Sequence, residues 1–167
     1  MCGAELKTLP EGVQRVANAL QAAGHSHVPV MLEDPARTAQ QAADALGIEL
    51  GQIAKSIIFR RKSDEVAVLV ITSGDLRVDE KKVEALVGKL GRADADFVKT
   101  KTGFTIGGVA PLGHVHKPIT LIDRELFRFE VIWAAAGHPH GVFKLAPRDL
   151  EALCAAPVAD VTQVRAP

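Results

Sequence analysis

A lysine at the start of an apolar segment is the first residue whose chemistry stands out. Lys55 follows Ile53 and Ala54 and precedes Ser56 and a run of β-branched and aromatic residues. At the mouth of an apolar strand its ammonium group is partly desolvated, and it favours an anion or a carbonyl oxygen as partner. Two interpretations fit the local sequence. One is a cation that orients a substrate in a pocket, and the other is a strand-end lysine whose charged head reaches into water.

A glycine-rich loop is the second candidate, at residues 103–113 with the sequence GFTIGGVAPLG. The adjacent Gly107 and Gly108 permit positive φ and close backbone approach, and Pro111 stiffens the exit of the loop. Such a loop can direct backbone N–H and C=O groups at a ligand or at a developing oxyanion. A tight connection between strands is the alternative, although the apolar flanks are unusual for an exposed turn.

The histidines and hydroxyl residues give weaker signals. The six histidines form three His-x-His pairs, which are His25 and His27, His114 and His116, and His138 and His140. A pair on one face of a strand could bind a metal, but no acidic residue lies at a suggestive spacing beside the second or third pair. We therefore favour surface histidines and expect neither a metal nor a cofactor. Ser56, Ser73 and Thr105 are possible nucleophiles, yet none lies in a G-x-S-x-G elbow.

The elements that must position these residues follow from the apolar periodicity. It predicts helices over residues 11–23, 39–46, 79–87, 95–101 and 147–155, and strands over residues 28–32, 53–61, 65–72, 119–122, 131–135 and 141–145, with a short strand from residue 158. Thr38 is the expected N-cap of the second helix. The polar stretch between the second and third strands predicts a hairpin. The fold class is therefore mixed α/β, with a mixed, mainly antiparallel sheet and packed helices.

Composition limits the class of protein. The 167 residues suit one domain over residues 1–167, with residues 1–10 as a loose N-terminus. Twenty basic residues balance twenty acidic ones, so DNA binding has no broad electrostatic support. Only 4% of the residues are aromatic, which argues against a base-stacking platform. No apolar stretch is long enough to cross a membrane, and Cys2 and Cys154 are expected to be free thiols, so we expect a cytoplasmic protein.

The motifs occur together in one known family. The segments AKSIIF at 54–59, LVITSG at 69–74 and GF leading into GGVAPLG at 103–113, followed by Ala136-Gly137, resemble the YbaK/EbsC family. This family includes the insertion editing domain of bacterial prolyl-tRNA synthetases. Arg37-Thr38-Ala39 is similar to the start of its upstream helix, and the resemblance spans roughly residues 13–155.

The resemblance implies a free-standing aminoacyl-tRNA deacylase, which hydrolyses the ester between a wrong amino acid and the terminal adenosine of a tRNA. Lys55 matches the family lysine, and Gly107, Gly108 and Pro111 match its GxxxP loop, so we predict these four as the catalytic set. The predicted substrate-binding residues are Thr38, Ser56, Ser73, Val109, Ala110, Gly137, His138 and His140. The implied partner is the acceptor end of a mischarged tRNA, with an aminoacyl-tRNA synthetase as a further candidate, and neither DNA nor a membrane is expected.

The segment after Gly137 departs from the pattern of members that remove cysteine. Those members follow this glycine with a basic pair and then Gly-Leu-Asp, whereas Val142 stands at the acidic position here. The resemblance is closer to branches that remove alanine, serine or threonine, and the expected substrate is a small wrong amino acid (Ala, Ser, Thr or Cys). We expect hydrolysis without a protein nucleophile. The alternative is a non-catalytic module that binds aminoacyl-tRNA, a synthetase or an amino-acid-like ligand.

Overall fold

A computed structural model describes residues 9–164, which form one sheet with helices on both faces. Cys2 and most of the predicted loose N-terminus lie outside this range. The helices are α1 (Glu11–Ala22), α2 (Ala39–Leu46), α3 (Glu80–Val87), α4 (Ala95–Thr102) and α5 (Pro147–Cys154). The strands are β1 (Val30–Met31), β2 (Ile53–Arg61), β3 (Ala67–Ser73), β4 (Leu90–Arg92), β5 (Ile119–Asp123), β6 (Ile132–Ala135), β7 (Gly141–Leu145) and β8 (Val158–Ala159). Across residues 9–164, no helix is long and apolar enough to cross a bilayer.

The sheet is mixed, as the sequence predicts. Its order is β1-β7-β6-β2-β3-β5-β8, and β4 pairs with β2 beside this path. The β2–β3 hairpin, β2–β4, β6–β7 and β1–β7 are antiparallel, whereas β2–β6, β3–β5 and β5–β8 are parallel. Antiparallel pairs are thus the majority, and the expected fold class is confirmed.

Strand β3 is the centre of the core because it is buried on both faces. Leu69 and Ile71 pack on the face covered by α1, α4 and α5, and Val68 and Val70 pack on the face covered by α3. All seven residues of β3 are buried. A strand with helices on both sides is apolar throughout, which is the pattern that its sequence shows.

The predicted helices agree with the structure to within two residues at each end, and Thr38 caps α2 through a reciprocal pair of hydrogen bonds with Gln41. The predicted strand over residues 28–32 is shorter, because only Val30 and Met31 pair with β7 and Val28 and Pro29 lie outside the ladder. Strand β4 was not predicted from the sequence. It contains a single apolar residue, Leu90, and its pairing with β2 depends on long-range contacts.

Candidate active site

Strand β2 has an interrupted edge, and this interruption creates the site. On one side β2 pairs with β3 along seven consecutive residues. On the other side it pairs with β6 only at Ile53 and Ala54, and with β4 only from Phe59 onward. Residues 55–58, here called the open segment, therefore have no strand partner on that side. Because neighbouring strands lie about 4.8 Å apart, a missing stretch of strand leaves a space that can admit a ligand.

A cavity of about 330 Å³ opens at the open segment. Its lining brings together six of the residues predicted from the sequence, and these are Lys55, Gly107, Thr38, Ser56, Val109 and His138. They come from β2, the N-terminus of α2, the glycine-rich loop and the turn between β6 and β7. The remaining lining is mainly aliphatic, so the cavity combines an apolar body with a few polar groups, as small-molecule sites commonly do.

Lys55 is the more buried of the two cations in the cavity lining, the other being Arg37. It is half-buried, and its Nζ forms no hydrogen bond or ion pair with another residue in the range 9–164. Burial lowers the pKa of Lys55 below its ordinary value, the positive charge of Arg77 lowers it further, and Asp75 acts in the opposite direction. Asp75 is itself bound by Arg128, with its two carboxylate oxygens 2.9 and 3.3 Å from the guanidinium. Lys55 thus makes no direct ion pair among the described residues, and an anionic ligand group would stabilise its charge.

The glycine-rich loop forms a second wall. Gly107 adopts a φ of +95°, and Gly108 donates its N–H to the Thr105 carbonyl at 3.1 Å, which closes a tight turn. A Cβ on Gly108 would lie only 2.9 Å from the Cα of His138, so the loop and the β6–β7 turn touch through backbone alone. Glycine is needed at this position because a side chain would push the two segments apart.

Contacts beneath the loop hold it in place. His114 Nε2 donates to the Ala110 carbonyl at 2.7 Å, and the thiol of the buried Cys154 donates to the Pro111 carbonyl at 3.2 Å. Burial lowers the pKa of His114 and raises the pKa of Cys154 to about 12, so the ring is kept neutral and the thiol is kept protonated. Across residues 9–164, the N–H groups of Val109 and Ala110 donate to no backbone or side-chain acceptor. Of these two residues, Val109 lines the cavity, so its N–H is available to a ligand.

The turn between β6 and β7 carries His138 and His140. Their rings lie 5.4 Å apart, His138 Nδ1 accepts from the His140 N–H at 3.1 Å, and His140 Nδ1 donates to the Leu32 carbonyl at 2.9 Å. Partial burial, the neighbouring His140 and the charge of Arg37 lower the pKa of His138, which favours its neutral form. His138 therefore offers a neutral imidazole to the cavity rather than a second cation.

Six of the predicted site residues do not line the cavity. They are Gly108, Ala110, Pro111, Ser73, Gly137 and His140. Gly108, Ala110 and Pro111 are buried within or behind the loop, and Gly137 packs against Gly12 at the start of α1. Ser73 is fully buried on β3, where its hydroxyl has no hydrogen-bond partner among the described residues. Direct substrate contact by Ser73 or Pro111 would require movement of the surrounding chain.

The structure adds two cavity residues that sequence reasoning did not select as site residues. Trp133, the only tryptophan in the chain, lines the cavity from β6 beside Ile53. Arg37 lies at the rim, exposed, immediately before the N-cap of α2. Trp133 could have been selected from the sequence, because it lies just before the turn that contains Gly137 and His138. No local pattern marks Arg37, because its place at the rim depends on how α2 packs.

The three His-x-His pairs have separate surroundings. His25 lies 3.0 Å from the Lys144 carbonyl, His114 holds the glycine-rich loop, and His138 and His140 form the β6–β7 turn. Among residues 9–164, no three His, Cys, Asp or Glu side chains come together in an arrangement that could hold a metal ion.

The fold and the cavity define an aminoacyl-tRNA editing domain. Residues 33–153 match the family described as the aminoacyl-tRNA editing domain, and the chain belongs to that family, which confirms the YbaK/EbsC resemblance. A crystal structure described as a "putative trans-editing enzyme for prolyl tRNA synthetase" is similar over 94% of this chain and 100% of that chain, with a TM-score of 0.87 and 38% identity.

Two further proteins are similar to this chain over most of their length. The "Uncharacterized protein YwhH" of Bacillus subtilis is 36% identical over 119 residues, which is 71% of this chain and 75% of that protein. The "Putative Cys-tRNA(Pro)/Cys-tRNA(Cys) deacylase EbsC" of Enterococcus faecalis is 28% identical over 127 residues, which is 75% of this chain and 77% of that protein.

Proposed function

We propose that this protein is a trans-editing deacylase, which hydrolyses the ester between a small wrong amino acid (Ala, Ser, Thr or Cys) and the terminal adenosine of a tRNA. The observation that carries the proposal is the meeting of Lys55, the glycine-rich loop and His138 around one cavity of about 330 Å³. The expected partners are the acceptor end of the tRNA and, through it, an aminoacyl-tRNA synthetase in the cytoplasm.

The chemistry that we infer is attack by water, positioned mainly by backbone groups. Ser56 is the one serine in the cavity lining, and its hydroxyl has no hydrogen-bond partner among the described residues, so it lacks a base to activate it as a nucleophile. The N–H group of Val109, which lines the cavity, can stabilise the oxyanion that forms when water adds to the ester carbonyl. The vicinal ribose hydroxyl of the substrate assists proton transfer.

Lys55 orients the substrate in this scheme. Its ammonium group pairs with a phosphate or ester oxygen at the end of the tRNA, because those are the negative groups that such a substrate brings. Arg37, exposed at the rim, is placed to meet the next phosphate. Both contacts are electrostatic, and we expect binding to weaken as the salt concentration rises.

The cavity also limits the amino acid. Buried aliphatic groups close it, and Val142 is among them, 5% exposed. A pocket of this kind rejects bulkier side chains by steric exclusion but discriminates poorly among smaller ones. With a valine instead of a carboxylate at this position, we place alanine, serine and threonine ahead of cysteine.

A panel of mischarged tRNAs tests the proposal. One tRNA is charged with alanine, serine, threonine or cysteine, and ester loss is followed with wild type, Lys55→Ala and, as a matched control, Lys81→Ala on the exposed face of α3. We expect wild type and Lys81→Ala to accelerate loss of at least one ester, and Lys55→Ala to lose about 100-fold of that rate, the usual effect of removing one electrostatic stabiliser. If wild type slows ester loss by protecting the bound ester, the non-catalytic alternative replaces this proposal. If it has no effect on any ester, the deacylase assignment fails.

A further inference from the structure

The free backbone groups of the open segment can be identified from the register of β2. The Ile53 carbonyl accepts from the Gly74 N–H at 2.8 Å, and the Arg61 N–H donates to the Val66 carbonyl at 2.9 Å, so the odd-numbered residues of β2 direct their backbone groups toward β3. The Lys62 N–H donates to the Lys89 carbonyl beside β4, which confirms that even-numbered residues point the other way. The backbone N–H and C=O of Ser56 and the backbone N–H of Ile58 therefore point into the gap between β6 and β4, whereas the Ile58 carbonyl faces the Ala93 N–H at the start of the β2–β4 ladder.

The Ser56 backbone groups and the Ile58 N–H have no partner among the described residues. The β2–β6 ladder ends at the Ala54–Ala134 pair, the β2–β4 ladder begins at Phe59–Arg92, and no loop supplies a hydrogen bond to these three groups. The Ser56 side-chain hydroxyl is also buried without a partner. Ser56 and Ile58 are half-buried and line the cavity, so a ligand that enters it can complete the hydrogen bonding of these backbone groups.

The charged residues of the cavity lining limit which part of a ligand can bind at the open segment. The charged side chains in the lining are Lys55 and Arg37, and none of the lining residues is an aspartate or a glutamate. An aminoacyl ester brings an α-ammonium group, which needs hydrogen-bond acceptors and is repelled by other cations. Oxygen atoms of the backbone and of hydroxyl groups are therefore the acceptors that this cavity can offer.

We propose that the backbone carbonyl of Ser56, together with the Ser56 hydroxyl, binds the α-ammonium group of the aminoacyl substrate at the open segment of β2. The assignment rests on the proposed function, and it adds the requirement for a free amino group. Side chains of adjacent strand residues point to opposite faces, so the Lys55 ammonium group is directed away from Ser56 and toward the negative end of the substrate. Neighbouring residues of β2 thus contact the two oppositely charged ends of the ligand, Ser56 the ammonium group and Lys55 the negative end.

A consequence is that the site discriminates against acylated amino groups. An N-acetyl or peptidyl group removes the positive charge that the Ser56 oxygen atoms would bind. Peptidyl-tRNA and formylated initiator tRNA would then be rejected even when the amino acid itself fits.

The test compares two non-hydrolysable ligands that differ only in this group. They are 3′-deoxy-3′-(L-alanylamino)adenosine and its L-lactylamino counterpart, in which a hydroxyl replaces the ammonium. Binding is followed by the fluorescence of Trp133, the only tryptophan and a lining residue. We expect Kd for the lactyl compound to be about 10- to 100-fold weaker, as for the loss of a charged hydrogen bond. Ser56→Ala, which keeps the carbonyl, should narrow this ratio several-fold, while Ser63→Ala in the exposed hairpin turn should not.

Equal affinities for the two compounds would overturn the inference, and so would the failure of both to bind. These outcomes do not depend on hydrolysis. The deacylase proposal is decided separately by the mischarged-tRNA panel, so a protein that hydrolyses alanyl-tRNA but binds both analogues equally would retain its function and lose this assignment.

Discussion

The two edges of strand β2 differ in almost every respect. The edge toward β3 is paired along seven consecutive residues and lies against a strand that is buried on both faces. The opposite edge is paired at its two ends and open over residues 55–58, where the cavity lies. The backbone hydrogen bonds of the paired edge stabilise the sheet, whereas we propose that the open edge offers its backbone groups to a ligand. Changes on the first edge should therefore affect folding, and changes around the second should affect activity.

Leu69→Ala on β3 tests the paired side and should have the largest effect on stability. Leu69 is fully buried in the main core, and removing its side chain should lower the free energy of unfolding by about 2–5 kcal/mol. Urea denaturation measures this change. Deacylation per folded molecule should remain near that of wild type. A loss of less than about 1 kcal/mol would show that β3 is not the centre of the core.

Gly108→Ala tests the contact between the glycine-rich loop and the β6–β7 turn. The added Cβ would meet the backbone of His138 at 2.9 Å, so the two walls of the cavity must separate. We expect about 1–3 kcal/mol of destabilisation, together with a rate loss approaching 100-fold from misplaced reacting groups. Single-turnover deacylation and thermal unfolding measure the two effects. Full activity in this variant would mean that the position of the loop does not matter to the reaction.

Thr38→Ala tests the helix that forms another wall. Thr38 and Gln41 cap α2 reciprocally, with the Gln41 N–H 3.1 Å from the Thr38 hydroxyl oxygen. Loss of the cap should cost about 1 kcal/mol and raise KM, because Ala39 and Ala42 line the cavity from the first turns of this helix. Thr38→Ser retains the hydroxyl and is the matched control. Equal stability of the alanine and serine variants would contradict the role of the cap.

Lys55→Met should change the stability least of these variants. Because the same residue is expected to matter for activity, this variant separates an effect on activity from an effect on folding most clearly. A lysine whose pKa is lower in the folded than in the unfolded chain binds fewer protons when folded, so its contribution to stability rises with pH between the two pKa values. Near pH 7 the wild type carries the cost of this partly buried charge, and the variant does not. We expect Lys55→Met to be as stable as wild type or slightly more stable, with a difference that shrinks toward about pH 10.

Denaturation of Lys55→Met and Lys81→Met at both pH values measures this effect. Lys81 is exposed, and its replacement should leave the pH dependence of stability unchanged. A Lys55→Met variant that is markedly less stable than wild type at neutral pH would mean that Lys55 stabilises the fold. A loss of activity in Lys55 variants could then no longer be attributed to a lost contact with the substrate.

Most of the fold could be predicted from the sequence, because its signals are local. The capped helix α2, the hairpin of β2 and β3 and the apolar run of β3 each have their own pattern. The short strand β4 and the shortened β1 could not be predicted in this way. Their extent depends on which partner strand lies beside them, and Pro29 and Gly91 weaken the strand pattern locally.

The candidate site was predicted in part. Lys55 and the glycine-rich loop were recognised as a pair only through the family resemblance, since each had an ordinary structural explanation by itself. The open segment is invisible in the sequence, because residues 55–58 have the same β-rich composition as a fully paired strand. Trp133 and Arg37 enter the site through the packing of β6 and α2, which no local pattern encodes.

Backbone amide exchange along β2 tests the open edge most directly. In the free protein, the amides of Lys55, Ile57 and Phe59 face β3 and should be strongly protected, whereas those of Ser56 and Ile58 should exchange at least about 10-fold faster. Adding the alanylamino adenosine analogue should slow exchange at Ser56 and Ile58 and leave their odd-numbered neighbours unchanged. Uniform protection along the strand before the ligand is added, or no change at Ser56 and Ile58 when it binds, would contradict a substrate site at this edge.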